Sequence, residues 1–204
     1  DSIVLNHFVG AAAVGLYQAG MRLFNGGAQA AGVLANVFLP RAAAAAEVND
    51  GGQSLRRESS RVQWAFVAIG LLFGLALCSL ADPLVRLLFG AQYLELVHVL
   101  PWFGLLFFVR FFASSWGVLL TSAGAQRFRA AMNAVHWALI GALSLVLVPR
   151  LGLVGWLIAL TLGNALLAAA YVWRGRQLSG AGWRQPALAM LALAGFLPFL
   201  HVPR

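Results

Sequence analysis

Lysine is absent: all 14 basic residues are arginines. Acidic residues are scarce too, six in 204, and charged residues of both signs make up 10%. An ordinary soluble domain carries roughly 25%, so this chain has too few charges to cover a water-facing surface. A single cysteine, Cys78, lies inside an apolar run, which excludes an intrachain disulfide and a cysteine metal cluster. There is no glycine-rich phosphate loop after a strand, no His-Glu-x-x-His and no Cys-x-x-Cys. His7, His98, His136 and His201 are scattered over separate segments. No catalytic residue, metal site or cofactor is therefore expected, and the chain does not read as an enzyme. No signal peptide precedes Asp1, and the chain reads as a piece of something longer.

What is present is apolar. Hydrophobic residues make up 61% and the mean hydropathy is +0.83, the signature of an all-α, multispanning membrane protein. The net charge of +8 would point to nucleic acid in a soluble protein. Here the arginines fall mostly between apolar runs, as topology signals do, so no nucleic-acid partner is expected. The stretches 41–61, 123–129 and 174–184 are arginine-rich, while those near Leu16, over 82–96 and over 149–152 are poor in arginine. The positive-inside rule puts the first set in the cytoplasm.

The stretch 14–40 organises the expected architecture. It is long enough to span a bilayer, closes at Pro40, and carries Arg22, Asn25, Gln29 and Asn36 on one stripe at steps of three, four and seven. Gly15, Gly20, Gly26, Gly27 and Gly32 keep it thin. Before it, residues 3–15 read as the second half of a helix, with a turn at 14–17. Further crossings are expected over 62–80, 100–122, 130–148 and 153–173, with a short amphipathic turn at 84–89, a basic loop at 123–129 and a tight connection at 149–152. Residues 186–202 read as a last crossing.

These pieces resemble a known family. Asp1 followed by Val14-Gly15-Leu16-Tyr17, Arg22-Leu23 and Pro40 is similar to the start of the second lobe of bacterial polysaccharide flippases. The run from Ala81-Asp82-Pro83 to Gly90-Ala91-Gln92-Tyr93 resembles their turn after the lobe's third helix. Ser122-Ala123-Gly124 and Val148-Pro149-Arg150-Leu151-Gly152-Leu153-Val154-Gly155 resemble the fourth helix end and the fifth-to-sixth connection. The family is the O-antigen and lipid-linked oligosaccharide flippase branch of the multidrug/oligosaccharidyl-lipid/polysaccharide exporter superfamily.

The resemblance implies two six-helix lobes around a cavity that opens alternately to each side. Residues 1–175 would form the C-terminal lobe, and 176–204 a basic loop and one extra transmembrane helix. It implies an inner-membrane carrier of undecaprenyl-pyrophosphate-linked saccharides, with membrane lipids and an N-terminal lobe of the same protein as partners. Arg22 would hold the pyrophosphate through bidentate contacts, with Arg110 reaching the same cavity and Asn25 and Gln29 meeting the saccharide. Arg110 sits in mid-span, where an unpaired arginine costs about 2.5–3.5 kcal/mol. Asp1 and His136 are candidates for a structural pair or a coupling group. Snorkelling for Arg22, and helix-to-helix hydrogen bonding for the amides, are the plainer alternatives. A cation-coupled multidrug exporter of the same superfamily would favour cavity acids. A membrane-embedded glycosyl- or acyltransferase would have to use Glu95 and His98.

Overall fold

Residues 95–122 hold the highest density of large aromatics in the chain, and the structure packs itself around them. The computed structural model describes residues 2–48, 53–180 and 182–200, all of them helix or short connection. In order these are α1 (Ser2–Phe8), α2 (Ala11–Glu47), α3 (Gln53–Ser79), α4 (Ala81–Leu88), a 3-10 turn (Ala91–Tyr93), α5 (Glu95–Ser122), α6 (Gln126–Ser179), α7 (Arg184–Leu193) and a closing 3-10 segment (Ala194–Phe199). Helix α5 touches α2, α3, α4 and α6, and most of its residues are buried. Its aromatic rings enter gaps that glycines leave on the neighbours. A Cβ at Gly20 of α2 would collide with Phe103, and one at Gly175 of α6 would come within 2.6 Å of Trp116. At Gly74 and Gly104 the backbones of α3 and α5 meet directly, and a Cβ on Gly74 would lie 2.7 Å from the Gly104 carbonyl oxygen. This is the small-residue packing that membrane helices use in place of a hydrophobic drive.

Helices α3, α5 and α6 are each long and apolar enough to cross a membrane. Helix α6 is long enough to do so twice. Gly152 takes φ 57° and ψ −134°, which bends the 54-residue element back on itself. Gly163 on the returning arm packs on Ile140 and His136 of the outgoing one, and Gly155 on Leu147. Each arm, 126–151 and 153–179, rises about 40 Å, more than the ~30 Å hydrocarbon. The tight connection expected at 149–152 is this single residue. Helix α2 has 37 residues but is not among the three, because its polar stripe lowers its hydropathy.

Several boundaries depart from the sequence expectation. The first turn falls at Gly10 (φ 97°), not at 14–17, because only glycine adopts that angle without strain. Pro40 does not close α2, which runs on to Glu47. A proline forfeits one backbone bond but fits helical φ, and the alanines at 42–46 have the highest helix propensity of any residue. The basic loop shrinks to 123–125, since Arg127 and Arg129 already lie in α6. The C-terminal run is not one continuous helix. Helix α7 has ten residues and then tightens into 3-10 turns, where Phe196 is fully buried and stacks on Phe108 at 5.6 Å. Asp1 and His201 lie outside the described residues.

Candidate functional site: a two-arginine cavity between α5 and α6

Three polar stripes converge where α5 faces both arms of α6. Along α5 the positions are Arg110, Ser114 and Gly117, at steps of four and three. On the outgoing arm they are Arg129, Asn133 and His136, and on the returning arm Asn164 and Tyr171. Together they line a cavity of about 450 Å³, within the range of small-molecule sites. No carboxylate is among its lining residues. The acids of the described residues sit at helix ends, two of them already paired: Glu58 with Arg61 at 2.6 Å and Asp82 with Arg86 at 2.8 Å. No group of described residues has the makings of a metal site.

Each arginine is held differently. Arg110 is near the middle of α5, with its guanidinium open to the cavity and 5.5 Å from the ring centroid of Phe24 on α2. Arg129 is half-buried. It donates to the Thr121 hydroxyl, lies over the Tyr171 ring at 5.9 Å, and keeps a buried Nε with no hydrogen-bond partner. Thr121 in turn donates to the Gly117 carbonyl at 2.9 Å. Gly117 lies beneath this arrangement: a Cβ there would sit at ordinary contact distance, 3.5 Å, from both the Arg129 guanidinium and the Tyr171 ring. Arg129 thus meets α5 between Gly117 and Thr121, about 10 to 16 Å along the helix from Arg110. On the returning arm, Asn164 donates to the Leu160 carbonyl at 2.8 Å, which leaves its side-chain oxygen uncommitted to that bond. His136 has both ring nitrogens buried and without a protein partner. The cavity thus offers two cations and spare polar groups, and no counter-charge among the described residues.

The sequence-expected residues divide. Arg110 and His136 line the cavity; Arg22, Asn25 and Gln29 do not. Arg22 is not among the lining residues of the cavity that holds Arg110. Phe24 is buried against Phe107 at 5.3 Å and fixes the rotation of α2. Arg22, two residues earlier, is about 200° away around the helix, and it is exposed. Asn25 borders a shallow open groove with Ser2, Tyr17 and Gln18, and Gln29 is exposed further along. The pairing of Arg110 with Asp1 falls outside the described residues. Sequence reading placed Ser114 one turn from Arg110 but missed Arg129 and Tyr171. The signal was present: Arg129, Asn133, His136 and Ile140 recur at steps of four, three and four, which is a helical face rather than a loop.

Residues 1–98 match a family model described as polysaccharide biosynthesis protein. That stretch runs from α1 into the first turn of α5, and the cavity residues lie beyond it. No curated protein and no solved structure matches the chain. The match agrees, over its 98 residues, with the resemblance read from the sequence.

Proposed function

We propose that the chain is the C-terminal lobe of a bacterial inner-membrane flippase for undecaprenyl-pyrophosphate-linked saccharides, a carrier and not an enzyme. It would act with an N-terminal lobe by alternating access. The observation that carries this reading is a cavity between helices long and apolar enough to cross a membrane, lined by two arginines and, among the described residues, by no acid. An uncompensated arginine at such depth costs about 2.5–3.5 kcal/mol, and a bound phosphate anion offsets that cost through charge-assisted hydrogen bonds. A cation exporter would need the opposite lining. Arg110 and Arg129 would hold the pyrophosphate, with Asn133 and Asn164 donating or accepting at its sugar end. Arg22, Asn25 and Gln29 would serve a different part of the cycle, on the exposed face of α2 turned toward the partner lobe. His136, in the wall of the same cavity, would be available as a coupling group.

The test uses the full chain in lipid nanodiscs, titrated with a short isoprenyl pyrophosphate and with the matching isoprenyl alcohol. Fluorescence of Trp137, at the cavity wall, reports occupancy. The pyrophosphate is expected to bind at least tenfold more tightly than the alcohol. Equal affinity for the two would overturn the anion reading.

A further inference from the structure

Helix α3 presents a second arginine site that has no part in the cavity. Its first three turns carry Arg56, Arg57 and Arg61, which line an open concavity of about 720 Å³. All three are exposed. Arg61 is paired with Glu58, while Arg56 and Arg57 have no partner among the described residues. The same exposed ridge continues inward at helical spacing. From Arg57 it passes through Arg61 to Trp64, then to Ala68 and to Leu72, which is 75% exposed. One helix face thus changes from guanidinium to indole to aliphatic. The step from Arg57 to Trp64 is about 10 Å, the scale of the passage from phosphate headgroup to hydrocarbon edge, where tryptophan concentrates.

We propose that this ridge is a binding site for one anionic phospholipid of the bilayer. Its headgroup phosphate rests on the Arg56 and Arg57 pair, with a second phosphate where the headgroup has one, its glycerol region lies against Trp64, and its acyl chains run along Ala68 and Leu72. The apolar lane decides for a bilayer lipid: a soluble polyanion would meet the arginines and have no use for the rest of the ridge. The two unpartnered guanidiniums favour a headgroup with two phosphates, as in cardiolipin, over one with a single phosphate.

The experiment uses the full chain in nanodiscs of phosphatidylcholine doped with cardiolipin or phosphatidylglycerol. Retained lipid is counted by native mass spectrometry after gentle detergent release. The wild-type chain is expected to keep one cardiolipin, and to keep it in the presence of millimolar inorganic phosphate. Arg56→Gln with Arg57→Gln should lower retention by tenfold or more, since each juxtamembrane arginine contributes on the order of a tenfold change or somewhat less. The control Arg127→Gln with Arg184→Gln removes the same charge elsewhere and should change retention less than threefold. Trp64→Ala keeps every charge and should still lower retention severalfold. Equal losses in the two double variants, or no loss in Trp64→Ala, would reduce the site to diffuse attraction and overturn the proposal. Displacement by inorganic phosphate would overturn the choice of a lipid.

Discussion

Helices α2 and α5 look alike on paper and behave in opposite ways. Both are long, both contain an internal proline, and each bears an arginine well inside its length. Helix α5 is enclosed nearly all round, whereas α2 buries only a narrow strip and leaves its polar stripe exposed. The two arginines follow their helices. Both guanidiniums are accessible, but only that of Arg110 has walls, donors and a second arginine around it. The contrast teaches that a buried-helix arginine becomes a site when its neighbours supply a closed, acid-free surface. Depth along the helix is not enough.

The largest expected difference between the helices is in stability. A side chain at Gly104 of α5 would run into the Gly74 backbone carbonyl, with the Cys78 sulfur 2.9 Å away. Neither is the flexible end of a long side chain. Gly104→Val should therefore destabilise by about 3 kcal/mol, at the upper end for overpacking. Gly26 of α2 has no atom within 4 Å of where its Cβ would be, so Gly26→Val should leave the melting temperature in detergent within a degree or two. A comparable fall in both would show that α2 is as enclosed as α5.

Next comes ligand binding. Arg110→Gln should weaken isoprenyl pyrophosphate at least tenfold, because a hydrogen bond to a charged group is worth about 1.5–3 kcal/mol. Arg22→Gln should change it less than twofold in the isolated chain. If the two variants lose affinity equally, the walls around Arg110 are irrelevant and the comparison fails. The floor of the cavity gives a finer version. Gly117→Ala places its Cβ at ordinary contact distance, 3.5 Å from Arg129 and Tyr171, and should bind within twofold of wild type. Gly117→Leu would push the Arg129 guanidinium off Tyr171 and should lose affinity severalfold, as Arg129→Gln does.

The sequence made most of the helices visible because hydropathy and helical spacing report them locally. The crossings in α3, α5 and both arms of α6 came from apolar runs, and Asp82-Pro83 and Gly152 marked real breaks. What it hid was rotation and partnership. The spacing of Arg22, Asn25, Gln29 and Asn36 correctly puts them on one stripe, but spacing does not tell which way the stripe turns. That is set by Phe24 seating on Phe107, a contact between residues 83 positions apart in sequence. Arg129 was hidden for a related reason. Next to Gly124 and Arg127 it reads as loop, and only the packing of Tyr171 and Thr121 around it makes it part of a site. The organising helix was misjudged as well, since α2 has the conspicuous polar pattern and α5 has the aromatic rings that the glycines of three neighbours accommodate.

The smallest effect expected is at the one place where the two helices share a function. Phe24 belongs to α2, yet its ring faces the Arg110 guanidinium at 5.5 Å. A cation–π contact of this kind is worth about 0.5–1 kcal/mol when partly exposed, which corresponds to roughly two- to fivefold in affinity. Phe24→Leu should cost pyrophosphate binding by that factor, while Phe24→Tyr keeps the ring and should restore it. Leucine also gives up the edge-to-face contact with Phe107, so some loss of stability is expected whatever happens at Arg110. A double-mutant cycle separates the two. With Arg110→Gln already in place there is no guanidinium for the ring to hold, and Phe24→Leu should then leave binding unchanged while still lowering the melting temperature. If it weakens binding by the same factor in both backgrounds, the ring acts only by packing, and α2 contributes nothing to the cavity beyond the wall it leans against.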